Sequence, residues 1–173
     1  EALHEGMVKA WKDASGRYNL NMSEAADHGT GRTARLKNWA SAMGGAYVMI
    51  LGMDIASTSK SDLLDCGRLV SFFESTDFYR MAPHDELRLA DTEYVLASPG
   101  ESYIAYTSKA SEEIGLRDMA EGFYKFTWLD CATRKIWSKE HVRVEAGTQK
   151  WKIPTGFGNE VAVYISKERT VDK

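Results

Sequence analysis

The chain has 173 residues, 43% hydrophobic and 27% charged, which is enough apolar material for one domain or two small ones and too much for a disordered segment. A formal net charge of −3 and an isoelectric point near 5.8 give no support for a nucleic-acid surface, because neutralising phosphates takes a clustered excess of Lys and Arg, and no nucleic-acid partner is expected. The longest apolar run, Ala46 to Met53, is far short of the ~20 residues of a spanning helix, and Glu1 to Asp13 lacks the apolar core of a signal peptide, so no membrane contact is expected.

In chain order, Leu3, Met7, Ala10, Trp11 and Ala14 fall on one stripe of an amphipathic helix that Ser15-Gly16 ends. Tyr18, Leu20 and Met22 then alternate with Asn19, Asn21 and Ser23, the pattern of a short strand, with Glu24 at its C-terminal end. A loop from Ala25 to Gly31 leads to a second helix, about Thr33 to Met43, in which Leu36, Trp39, Ala40 and Met43 share a face. Gly44-Gly45 stops it. Tyr47 to Leu51 is a continuous apolar run of strand length, as expected for a strand covered on both faces. Ser57 to Ser61 supplies caps for a third helix carrying Leu63, Cys66, Leu69, Val70, Phe72 and Phe73. Helix, strand, helix, strand, helix is the order of βα units with parallel strands. Because a full (β/α)₈ barrel takes ~250 residues, residues 1–89 read as the last part of a barrel whose other strands are absent. A self-contained helical layer is the alternative. The start at Glu1, already inside a helical pattern, points to a piece of something longer.

After a connection from Phe78 to Leu89, Glu93 to Thr107 holds two Tyr/Val/Ile-rich runs hinged on Ser98-Pro99-Gly100-Glu101. Proline pre-sets φ at the second turn position and glycine accepts positive φ at the third, so this is a β-hairpin. Ser108 to Glu121 is polar, a loop or short strand. Gly122 to Asp130 is the strongest strand, with Tyr124, Phe126 and Trp128 on one face and Phe123, Lys125, Thr127 and Leu129 on the other. Ile136-Trp137, then Val142 and Val144, then Trp151 and Ile153, and finally Val161, Val163 and Ile165 continue the alternation. Short strands at such spacing make an antiparallel β-sandwich over residues 90–173. The fold class is therefore α+β, a partial βα helical layer followed by a sandwich.

Cys66 and Cys131 lie in different halves without CxxC or Cys/His spacing, so no zinc site, disulfide framework or other cofactor is expected. His28 beside Asp27 is one loop histidine without a second ligand at helical spacing. Gly29 to Gly31 is too short for a phosphate loop. What remains for function is aromatic: flat rings stack on the apolar faces of sugars or extended peptides while neighbouring polar groups take hydroxyls or amides. Trp137, between Lys135 and Ser138, is the candidate exposed ring, and Tyr103 and Tyr124 are candidates to join it. Trp128 and Trp151 are expected in the core.

Four segments look familiar as a set: Phe72-Phe73-Glu74-Ser75; Tyr94 to Glu101; Trp128-Leu129-Asp130 with Thr133; and Pro154-Thr155-Gly156 ahead of Val161-Ala162-Val163. Together they resemble the C-terminal β-sandwich catalogued as a collagen-binding domain of a collagenase. In that family the sandwich usually follows a glycoside-hydrolase-like (β/α)₈ barrel of largely bacterial, carbohydrate-processing proteins. The resemblance runs from about Arg17 to Ser166. Asn21-Met22-Ser23-Glu24, Arg35, Trp39 and Gly44-Gly45 look like the family's seventh strand, helix and eighth strand, and the resemblance assigns Glu24 as nucleophile. Asp130-Cys131 stands where the family usually has Asp-Pro, and Ala46-Tyr47-Val48 where it has a Gly-His-type sequence. The resemblance implies a secreted or periplasmic setting and a polysaccharide or collagen-like ligand. Without the rest of the barrel, the chain on its own is expected to be inactive and to self-associate through open strand edges.

Overall fold

The structure, a computed structural model, describes residues 1–14, 17–22, 29–48 and 56–169. They form two compact units, Glu1–Ser75 and Thr76–Lys173.

In the first unit, helix α1 (Ala2–Ala14), strand β1 (Leu20–Met22), helix α2 (Arg32–Met43), strand β2 (Ala46–Val48) and helix α3 (Lys60–Glu74) follow one another. β1 and β2 pair in parallel, Leu20 opposite Ala46 and Met22 opposite Val48, with α2 as the crossover between them. The βα order expected from the periodicity is therefore present. The apolar stripe of α1 is half-buried, and the residue it buries fully is His4, whose Nδ1–H donates to the carbonyl of Ala40 at 2.8 Å. α1 can lie this close because of the glycine pair that ends α2. Gly45 has φ of 90°, and a Cβ there would stand 2.5 Å from Cδ1 of Trp11. Trp39 of α2 meets Phe72 and Phe73 of α3 at ring-centroid distances of 5.5 and 5.7 Å. Ser59 caps α3, its hydroxyl accepting from the Asp62 N–H, which satisfies one of the orphan donors of the first turn.

Among the described residues, the regular elements of the second unit are strands and two 3₁₀ turns. Its strands are β3 (Ala82–Pro83), β4 (Arg88–Ala90), β5 (Tyr94–Ser98), β6 (Ser102–Thr107), β7 (Glu113–Met119), β8 (Gly122–Asp130), β9 (Ile136–Val144), β10 (Gly147–Lys152) and β11 (Val161–Lys167). They make a six-stranded sheet in the order β3-β5-β6-β11-β8-β9 and a three-stranded sheet in the order β10-β7-β4, every pairing antiparallel. The hairpin hinge forms as read: Gly100 has φ of 87° and Glu101 N–H donates to the Ser98 carbonyl at 3.0 Å. The stretch from Phe78 to Leu89, read as a connection, supplies β3 and β4 and belongs with the sheets. Ser108 to Glu121 supplies the central strand of the smaller sheet.

The core lies between the sheets. Tyr124, Phe126 and Trp128 of β8 meet Val95, Tyr103, Val163 and Ile165 from the larger sheet and Ile114 and Leu116 from the smaller one. Trp151 of β10 stands edge-on to Phe126, centroids 5.0 Å apart, and fixes where the smaller sheet covers the larger. The smaller sheet has three strands against six, so part of the larger sheet's inner face lies beyond its reach.

Candidate functional site

Two places carried functional expectations, the strand ends of the first unit and the aromatic positions of the second. At the first, Glu24, Asp27 and His28 lie outside the described residues, as does the end of the Tyr47–Leu51 run. What is described nearby in sequence is a set of polar contacts between α2 and α3. Gly31, at the foot of α2, donates its N–H to Oδ1 of Asp62 at 2.9 Å. One turn along α3, Asp65 takes Arg35 Nη1 on one oxygen at 2.7 Å and Arg68 Nη1 on the other at 2.6 Å. Both aspartates are buried, and such charges persist away from water only when paired and hydrogen-bonded. Cys66 beside them is a free, buried thiol whose pKa is raised by burial and then by Asp65 and Asp62, and Asn38 donates to its sulfur at 3.7 Å. That makes it a poor nucleophile. Among the described residues no group of three or more His, Cys, Asp or Glu is placed to hold a metal, and no helix is long and apolar enough to cross a membrane.

The second place is resolved residue by residue. Tyr103 and Tyr124 are both 0% exposed, so neither ring is on the surface where the sequence reading put it. Each spends its hydroxyl internally: Tyr103 accepts from Gly100 N–H at 2.7 Å, and Tyr124 donates to the Ala120 carbonyl at 2.9 Å. Burial, followed by the charges of Tyr103 and Glu101, pushes the Tyr124 phenol up to about 12. The reason is register. Tyr103 stands opposite Ala97 and Ile165, inside the sandwich, and alternation alone does not say which face of a strand is the wet one.

Trp137 is 44% exposed. It lies on β9, an edge strand of the larger sheet, directly opposite Trp128, so both side chains are on the inner face. Its neighbour Ile136 is 59% exposed on the other face, as is Phe123 at 52%; the sequence reading did not single out either as a surface ring or side chain, because each sits in an apolar pattern typical of core. Ahead of the strand, Lys135 Nζ lies 5.4 Å from the centre of the Phe157 ring and 3.3 Å from the carbonyls of Thr155 and Gly156.

These two loops are locked to each other by Asp130. Its carboxylate accepts from Ala132 and Thr133 N–H at 3.0 and 2.9 Å through one oxygen and from Gly158 N–H at 2.9 Å through the other. Burial by itself raises the pKa of this carboxyl, but the hydrogen bonds from Gly158, Thr133 and Ala132 outweigh it and hold the group below the ordinary aspartate range. Elsewhere on the unit, an open groove of about 560 Å³ is lined by Asp91, Ala110, Ser111, Glu112, Glu113 and Asn159. It offers carboxylates and no ring.

No protein-family model and no curated protein matches the chain. Solved structures share its fold, two of them as follows. One is described as a glycoside hydrolase, 11% identical, with a TM-score of 0.57 over 79% of this chain and 36% of that one. The other is a glycoside hydrolase family 5 protein from Bacteroides vulgatus ATCC 8482, 8% identical, with a TM-score of 0.57 over 78% of this chain and 36% of that one. This chain thus spans little more than a third of each, and at such identities the likeness is one of fold alone.

Proposed function

We propose that the chain is part of a glycoside hydrolase and that its β-sandwich is an accessory module that binds carbohydrate through the inner face of β9 at Trp137. The observation that carries this reading is a large ring left 44% exposed on a face whose other large residues are core. Leaving that ring against water serves nothing in the sandwich itself, whereas a sugar's apolar face covers it at a gain of about 25 cal/mol per Å².

The same reading gives Glu24, two residues beyond β1, the role of nucleophile, because barrel chemistry is done at the C-terminal ends of strands. Retaining hydrolysis takes two carboxyls about 5–5.5 Å apart, and the partner acid is assigned to another strand of the complete barrel. On its own the chain is accordingly a binder rather than a catalyst. Collagen, the ligand implied by the family resemblance, and a purely structural role are the competing outcomes. Incubating the chain and its Trp137→Ala variant with a glycan array and with immobilised collagen separates them. Retention on glycans that the variant loses supports the reading; retention on collagen alone, or no retention at all, rejects it.

A further inference from the structure

The surroundings of Trp137 give the class of sugar. Along β9, Lys139 is two residues on from Trp137 and stands opposite Phe126, so it too projects from the inner face, about 7 Å further along the strand. Lys135, two residues before Trp137, has its ammonium against the ring of Phe157, and Phe157 itself packs on the core between the sheets. The order along this strip is cation, indole, cation. Trp151 of β10 caps Phe126 on β8, and β9 is the next strand out, so at Trp137 and Lys139 the strip opens to solvent.

The balance of charge on the two faces differs. Glu140, the nearest acid in sequence, belongs to Lys125, 2.7 Å away, and its pKa is lowered by that hydrogen bond and charge. Asp130 is turned inward onto three backbone N–H groups. Among the described residues, Arg134, Lys135 and Lys139 have no carboxylate partner. A chain of net charge −3 thus keeps unneutralised cations on both sides of its one exposed tryptophan among the described residues. Lysines in this setting attract anions at long range and are weakened by salt.

We infer that this strip takes an anionic polysaccharide, one carrying carboxylate or sulfate groups, with Trp137 against a sugar ring and Lys135 and Lys139 receiving acid groups on either side. The inference rests on the carbohydrate reading above and narrows it. The test is affinity electrophoresis and calorimetry with polygalacturonate, heparin, neutral dextran and polyglutamate, using the intact chain, Trp137→Ala, and the double variant Lys135→Gln/Lys139→Gln. All three side chains are on the surface, and far-UV circular dichroism checks that the variants fold. The expected result is binding to polygalacturonate or heparin but not to dextran, weakened about tenfold by either variant and released by 0.5 M salt; which of the two polymers is preferred tells carboxylate from sulfate. Equal binding of dextran, unaffected by the lysine changes, overturns this inference and leaves the carbohydrate reading standing. Binding of polyglutamate as tight as that of the acidic glycans, with Trp137→Ala without effect, overturns it as mere polyanion attraction. Binding of none of them overturns this inference, while retention on the glycan array decides the carbohydrate reading.

Discussion

Replacing Asp130 with alanine removes one acceptor from three backbone N–H groups at once, those of Ala132, Thr133 and Gly158. Charge-assisted hydrogen bonds contribute about 1.5–3 kcal/mol each, but these three share a single carboxylate and their donors are only half-buried, so water recovers part of the loss. The expected cost is about 3 kcal/mol, which for a domain of about 100 residues lowers Tm by roughly 15 °C. Asp130→Asn keeps the oxygen that serves the turn but sets an amide against Gly158, and loses about half as much. The sign of the pH dependence follows from the lowered native pKa. Its contribution is complete above the unfolded value of about 3.9 and is lost as pH falls through the native one, so the deficit of Asp130→Ala is constant near pH 7 and shrinks below about pH 4. Urea unfolding of the sandwich, followed by near-ultraviolet circular dichroism at pH 7 and pH 3, measures both quantities. A loss under about 1 kcal/mol at pH 7, or a deficit that does not change with pH, refutes the reasoning.

Asp65→Ala leaves Arg35 and Arg68 without their shared partner, Arg35 largely buried, and is expected to cost the first unit about 3 kcal/mol in denaturant unfolding, more than Asp65→Asn. Gly45→Ala forces a side chain onto a residue with φ of 90° and into Trp11, and is expected to cost about 2 kcal/mol and raise amide exchange in α1; unchanged exchange refutes the packing of α1 on that turn. Among the described residues the β1–β2 sheet has two strands with open edges, and Leu63, Leu64 and Val70 of α3 are exposed, so sedimentation of the isolated chain is expected to show concentration-dependent association; a monomer at every concentration contradicts this.

What the sequence discloses and what it hides follow from the range of the interactions. The parallel pairing of Leu20–Met22 with Ala46–Val48 is legible because a helix of the right length stands between two short apolar runs, and a helical crossover leaves few other arrangements. The Ser98–Glu101 hairpin is legible because its turn chemistry is local. β7 is only half legible: Glu113, Arg117 and Asp118 leave the stretch open between a loop and a short strand, and only pairing with β4 on one side and β10 on the other makes it central. α3 shows the same limit in a helix, since Leu63 and Val70 share the apolar pattern of Leu69 and Phe73 yet stay exposed. Aromatic residues divide likewise. Tyr103, Tyr124 and Trp137 all sit in alternating strands, and what separates the buried pair from the exposed one is the width of the opposing sheet, a property of nine strands together. The Asp130 cradle had a sequence trace in Trp128-Leu129-Asp130 with Thr133, but its third donor, Gly158, is 28 residues away.

The central claim is that Trp137 is a sugar platform rather than a stray surface ring. Titrating the chain with an acidic polysaccharide while following tryptophan fluorescence, beside the Trp137→Phe and Trp137→Ala variants, tests it most directly. The account predicts a saturable change in the intact chain, binding retained by calorimetry in the phenylalanine variant, and, with alanine, the fluorescence change gone and binding weakened about tenfold. A saturable signal of the same size in Trp137→Ala, arising from another of the tryptophans, contradicts it.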